Sequence, residues 1–120
     1  MDKTQKLVDS IVAGIQEKKG FDIVTVDLSR IITAPCKHFV ICTGSSPQMV
    51  QAIANSVWDF AFRKANGEKP SKTIGEQNAE WVAMDYGTVM VHIFRPEARE
   101  HYDLENLWED ADLFEVPNLD

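Results

Sequence analysis

Residues 80–94, with the sequence EWVAMDYGTVMVHIF, decide the fold because they contain two apolar runs on either side of Tyr86-Gly87. Both runs are rich in β-branched, aromatic and other apolar side chains, which favour strands. A two-residue separation that includes glycine is typical of a β-hairpin, since glycine readily adopts the positive φ that such turns require. We therefore predict strands at Glu80–Asp85 and Thr88–Phe94, joined by this turn.

The same turn predicts which side chains share a face of the hairpin. It places Trp81 opposite His92, and side chains alternate between the two faces along each strand. The face suited to packing on helices comprises Val82, Met84, Val89, Val91 and Ile93. The other face comprises Trp81, Ala83, Met90, His92 and Phe94. We expect this second face to be partly open and to bind a partner, the alternative being that the first helix or a C-terminal helix covers Trp81.

Two long helices are predicted outside the hairpin. Apolar residues at helical spacing indicate a first helix of about four turns that ends before Gly20. These residues are Leu7, Val8, Ile11, Val12 and Ile15. Ser46 can cap a second helix and Pro47 suits its first position, and the apolar periodicity continues to about Ala65.

Apolar runs elsewhere predict further strands. We expect them at Asp22–Leu28, at His38–Thr43 and, as a short edge strand, within residues 73–77. The four central residues of His38–Thr43 are apolar without alternation, which indicates a position inside the sheet. The predicted fold class is therefore α/β, in the mixed α+β sense, with a central mixed sheet of roughly four to five strands flanked by helices.

The charge of the chain is concentrated near its C-terminus. All 12 Lys and Arg residues lie within residues 1–102, where acidic side chains balance them, so the net charge of −7 arises from residues 103–120. We predict a single domain at residues 1–109 and a loose acidic tail at residues 110–120. Such a tail is repelled by a nucleic-acid backbone, which disfavours direct reading of RNA or DNA and leaves solvation or contact with a basic partner.

A catalytic or metal site has little support in the sequence. The Gly44-Ser45 turn before a helix could bind phosphate, as in nucleotidyltransferases, although simple helix capping is the alternative. Those enzymes also need paired carboxylates on a strand, whereas Asp85 stands alone. Cys36 and Cys42 match no metal or redox spacing and are expected to be reduced thiols. We therefore expect no enzyme activity, cofactor or metal, and, since no apolar run is long enough to span a membrane, a cytoplasmic location.

Three stretches of the sequence, when they are read together, are specific enough to indicate one family. They are residues 27–46, which contain HFVICTGSS; residues 81–94, WVAMDYGTVMVHIF; and residues 97–108, EAREHYDLENLW. In this order they resemble the Iojap-like ribosomal silencing factors over roughly residues 5–109. The resemblance implies a mixed sheet flanked by helices, similar to a nucleotidyltransferase core but without its active site.

The resemblance also implies a function. Members of this family bind the large ribosomal subunit through its protein numbered fourteen, block joining of the small subunit and repress translation when nutrients are short. They commonly form dimers when free. The partner-binding positions of the family fall on Trp81, Met84, Asp85 and Tyr86, and the second face of the hairpin adds Met90.

Overall fold

The computed structural model describes residues 3–118, which fold into one sheet with its two long helices on one face. The elements are α1 (Lys3–Glu17), β1 (Phe21–Asp27), β2 (His38–Thr43), α2 (Pro47–Lys64), β3 (Lys72–Ile74), β4 (Trp81–Asp85), β5 (Val89–Phe94), α3 (Pro96–Tyr102), a single 3-10 turn (Leu104–Asn106) and β6 (Asp112–Val116). The sheet has six strands in the order β3-β4-β5-β2-β1-β6. Only the β2–β5 pair is parallel among these strands, so the predicted mixed α/β class is confirmed.

Single side chains explain where α2 begins and how the two long helices pack together. Ser46 caps α2 as predicted, because its hydroxyl accepts the N–H of Met49 at 3.1 Å. The helices approach closely at Gly14, where a Cβ would lie 3.0 Å from the Ser56 carbonyl oxygen. The Ser56 hydroxyl donates to the Gly14 carbonyl at 2.7 Å across this contact. Within residues 3–118, no helix combines the length and apolar content that crossing a bilayer requires.

The sheet interior confirms the predicted position of β2, which lies between β5 and β1. Its side chains alternate between two cores. Val40 and Cys42 pack towards α1 and α2, whereas Phe39 and Ile41 pack on the opposite face. The short edge strand predicted within residues 73–77 is present as β3 (Lys72–Ile74), which lies at an edge of the sheet.

The predicted hairpin forms with a different register. Trp81 lies opposite Phe94 rather than His92. The turn consists of Gly87-Thr88 rather than Tyr86-Gly87, since the backbone of residue 86 still pairs with β5. Because side chains alternate with a period of two residues, this two-residue shift leaves every side chain on its predicted face. The two faces are therefore confirmed while the pairing is wrong.

The prediction of a loose tail beyond Glu109 is wrong. Residues 112–116 form β6, which pairs antiparallel with β1 over five consecutive positions. Pairing with β1 provides hydrogen bonds that an isolated acidic segment cannot form. Asn118 adds a further contact, since its side-chain oxygen accepts the N–H of Asp22 at 2.9 Å. This strand raises the count to six, one above the predicted range, while Asp120 lies outside the described residues.

The face of the sheet opposite α1 and α2 is largely covered by two segments of the chain. Phe39, Ile41 and Phe94 are buried there. The residues that cover them lie in the loop after β1 and in residues 98–111. They include Ile31, Ala34, Ala98, Leu104, Trp108 and Ala111. The surroundings of the β4–β5 hairpin, where Trp81 is half-buried, form one open part of this face.

Candidate functional site

Trp81 is the centre of the exposed aromatic surface. It is the first residue of β4, lies on the face opposite α1 and α2, and is half-buried. Its ring stacks on Phe94 with the ring centroids 5.1 Å apart and packs against Tyr102 at 4.5 Å. Its indole N–H donates to Nδ1 of His92 at 3.0 Å. A tryptophan held on one side and open on the other is a typical anchor for a protein partner.

His92 fixes the orientation of the Trp81 side chain through a hydrogen bond and a ring contact. The imidazole is only 4% exposed, and burial lowers its pKa to about 4, so the ring is neutral at physiological pH. Because Nδ1 accepts the indole proton of Trp81, the proton of the neutral ring is on Nε2. The edge of Phe39 packs against the same ring at 4.8 Å. Hydrogen bonding and packing together restrict the rotation of the tryptophan.

Tyr102 completes the surface from the last residue of α3, with half of its area exposed. Within the described chain, α3 buries none of its residues completely, and Arg99 adds polar contacts to the packing of Ala98 and Tyr102. Arg99 pairs with Glu105 at 2.7 Å and donates to the hydroxyl of Thr43 at 2.8 Å. Tyr102 was not predicted as a site residue, although it lies within the 97–108 stretch that carries the family resemblance. The expectation that a C-terminal helix could cover Trp81 is thus met in part.

The hairpin turn forms the other end of the surface. Asp85 and Met90 lie opposite each other in the ladder and are both half-buried. A carboxylate oxygen of Asp85 accepts the N–H of Gly87 at 2.8 Å, which stabilises the turn. The strand alternation places Asp85 and Met90 on the same face as Trp81. Three of the five predicted site residues therefore share one side of the sheet.

The other two predicted residues point to the opposite side. Met84 is 1% exposed and Tyr86 is 8% exposed, and both pack in the core beneath α1 and α2. Burial raises the pKa of the Tyr86 hydroxyl. These side chains support the hairpin from its helix side rather than forming part of the surface around Trp81.

The Gly44-Ser45 turn is occupied by contacts within the protein. The hydroxyl of Ser46 accepts a hydrogen bond from the N–H of Met49, and the N–H of Ser45 lies 3.3 Å from the sulfur of Met49. The strand register places Asp85 level with Phe39 of β2, so Gly44 lies roughly 16 Å further along the strand direction and two strand spacings to the side. This arrangement favours the capping interpretation over phosphate binding.

The remaining titratable groups within residues 3–118 do not form a recognisable reaction centre. Burial raises the pKa of the Cys42 thiol to about 12, which suits a packed thiol and not a nucleophile. Cys36 is also a free thiol. No three His, Cys, Asp or Glu side chains in residues 3–118 come together in a way that could hold a metal ion.

Sequence relatives of this chain share one description. The family model described as "Ribosomal silencing factor during starvation" matches residues 1–120, which extends the roughly 5–109 range of the resemblance to the C-terminal strand. A ribosomal silencing factor of Bacillus subtilis is 38% identical over 104 residues, covering 87% of this chain and 86% of that protein. A crystal structure of a Chromobacterium violaceum protein has a TM-score of 0.82 at 32% identity and covers 91% of this chain and 88% of that one.

A second solved structure has the same fold. It is a protein of Bacillus halodurans, with a TM-score of 0.78 and 32% identity, and it covers 93% of this chain and 99% of that one. The agreement therefore extends well beyond the motifs around Trp81. The chain belongs to the family of ribosomal silencing factors, which are regulatory proteins associated with the ribosome.

Proposed function

We propose that this chain binds the large ribosomal subunit through its protein fourteen and sterically prevents joining of the small subunit. The aromatic surface of Trp81 and Tyr102, bordered by Asp85 and Met90, is the binding site in this proposal. Trp81 is half-buried and held by His92, so little side-chain entropy is lost when it contacts a partner. This preorganised tryptophan is the observation that carries the proposal.

The inhibition is steric and needs no reaction. A folded domain of 120 residues that occupies the joining surface of one subunit excludes the other without a bond being made or broken. The net charge of −7 suits a basic ribosomal protein as the direct contact and opposes contact with ribosomal RNA. The description of the family as acting during starvation supports repression of translation under nutrient limitation. The proposal places the protein in the cytoplasm and allows a homodimer in its free state.

Replacing Trp81 with alanine is expected to weaken binding to the large subunit by about 30-fold, the loss typical of a tryptophan worth ~2 kcal/mol at the centre of an interface. Sucrose-gradient cosedimentation with separated subunits measures this binding. Adding the small subunit and recording whole-ribosome formation by light scattering then measures the block. The wild-type protein should comigrate with the large subunit alone and reduce the formation of whole ribosomes.

Trp58→Ala is the matched control. Trp58 lies on α2, on the other side of the sheet, is 41% exposed and stacks on Phe62 at 5.4 Å. Both alanine variants lose an indole, but only the Trp81 variant should lose binding. Circular dichroism and thermal melting verify folding, and Tyr102→Ala tests the same surface with a more exposed residue. Equal binding by folded wild-type, Trp81 and Tyr102 variants would contradict the site, and no binding of wild type to either subunit would contradict the function.

A further inference from the structure

We propose that the free edge of β6 binds an extended, basic segment of another polypeptide, which joins the sheet as an additional strand. β6 is the last strand in the sheet order and pairs only with β1 among the strands of residues 3–118. In an antiparallel ladder, alternate residues direct their N–H and C=O groups away from the neighbouring strand. The outer edge of β6 therefore presents backbone groups in the arrangement that an added strand requires.

The two edges of the sheet differ in how they are protected. At one end, β3 has three residues, includes Lys72 and lies between Pro70 and Gly75, which limit the length available for pairing. At the other end, β6 has five residues, Asp112–Val116, without Lys, Pro or Gly, and keeps a continuous register with β1. β6 is longer than β3 and contains no lysine or glycine, although Pro117 follows it directly.

Two apolar side chains flank this edge. Leu113 is 42% exposed and Phe114 is 58% exposed. They project to opposite faces of the sheet, because neighbouring residues in a strand alternate, and they lie opposite Val26 and Thr25 of β1. A strand added to β6 would cover both side chains at once. The burial of apolar area would then add to the backbone hydrogen bonds.

The negative charge around β6 favours a basic segment as the added strand. Glu109, Asp110, Asp112 and Glu115 lie in or just before it, and the chain contains no Lys or Arg after Arg99. Within residues 3–118, the one ion pair of β6 joins Asp112 to Arg30 at 2.8 Å, with both side chains at least half exposed. Pairing β6 with a second copy would bring two acidic strands together, whereas Lys or Arg side chains would be attracted.

A cleft beside β6 can receive such a side chain. It has a volume of about 560 Å³ and is lined in part by Glu105, Glu115, Val116 and Arg99. The charge of Arg99 is already paired with Glu105 at 2.7 Å, which leaves Glu115 as an acid without an ion pair in the described chain. A lysine side chain of the added strand can extend along the face that carries Glu115, so that its ammonium group reaches this carboxylate.

The test uses a fluorescein-labelled peptide of about ten residues that alternates lysine and valine, a length that exceeds the five residues of β6. Fluorescence anisotropy with the full chain should detect binding, and amide exchange of residues 112–116 should slow. Glu115→Lys should weaken binding by at least about tenfold, whereas Glu76→Lys, an identical charge change in the loop after β3, should leave it within about twofold. A peptide with alternate backbone nitrogens methylated keeps the charge but loses donors and should not bind.

Three results would overturn the proposal. Equal binding of the methylated peptide would show that charge attraction alone holds it. Equal weakening by Glu115→Lys and Glu76→Lys would remove β6 as the site. A dimer that dissociates on Phe114→Lys substitution would identify a second copy of the chain as the occupant of this edge. None of these measurements involves ribosomes, so the result is independent of the proposed silencing function.

Discussion

Replacing Gly75 with alanine is expected to destabilise the protein by about 2–4 kcal/mol. Gly75 has a φ of +87°, and a Cβ at this position would overlap the carbonyl oxygen of Trp81. The obstacle is backbone, so it cannot be relieved by rotating a side chain. Either the turn that leads from β3 to β4 or the start of β4 must move, which would also displace the indole of Trp81. Urea unfolding followed by circular dichroism measures the change in the free energy of unfolding.

Gly87→Ala separates the destabilisation caused by a positive φ from that caused by contact of the new Cβ with the backbone of Trp81. Gly87 has a nearly identical φ of +86°, but a Cβ there would meet nothing within 4 Å. This control therefore carries only the conformational strain of a non-glycine residue, about 1 kcal/mol. The Gly75 variant should also bind the large subunit more weakly than the Gly87 variant at a temperature where both are folded. Equal destabilisation of the two variants would mean that the contact between the Cβ and the carbonyl oxygen of Trp81 adds nothing to the cost of the positive φ.

Acid is expected to destabilise the native protein through His92. Burial lowers the pKa of this imidazole from 6.5 to about 4, so between these values the unfolded chain binds more protons than the folded one. The free energy of unfolding therefore falls as the pH falls through this range and is fully recovered above about pH 6.5. The expected loss from His92 alone is about 2 kcal/mol near pH 5 and about 3 kcal/mol near pH 4.

His92→Gln is the variant that isolates this contribution. The glutamine amide can still accept the indole N–H of Trp81 but has no proton equilibrium in this range. Urea unfolding of both proteins at several pH values between 7 and 4 should give a much flatter profile for the variant, even if its stability at pH 7 is lower. Asp27, whose pKa is lowered by hydrogen bonds from Ser29, contributes equally to both profiles. Parallel profiles would mean that His92 is not the group responsible.

Much of the fold could be predicted because its signals are local. Ser46-Pro47 marks the start of α2 through capping and a fixed φ, and the apolar run of His38–Thr43 places β2 inside the sheet. The two faces of the β4–β5 hairpin follow from alternation, and the same alternation places Trp81 on the face opposite the long helices. The family resemblance was confirmed by the match of the family model to residues 1–120.

The site was predicted less completely than the fold. Trp81, Asp85 and Met90 share the face that alternation assigns to them, but Met84 and Tyr86 are buried beneath the helices. Tyr102 and His92, which hold Trp81 in place, come from separate elements. The role of Tyr102 depends on the packing of α3 over the sheet, a contact between distant parts of the chain that no local pattern records, whereas His92 lies on the hairpin face that alternation assigns to it.

The sequence by itself determined the two long helices, the first five strands, the two faces of the β4–β5 hairpin, the concentration of acid near the C-terminus and the family. Only the tertiary structure decided the hairpin register, because a shift of two residues preserves alternation and leaves the pattern of apolar positions unchanged. Only the tertiary structure made residues 112–116 a strand, because an acidic, exposed segment has weak local preference and is ordered by hydrogen bonds to β1, some ninety residues earlier in the chain. Preferences within one segment are encoded locally, whereas the choice of a partner strand is a property of the whole folded chain.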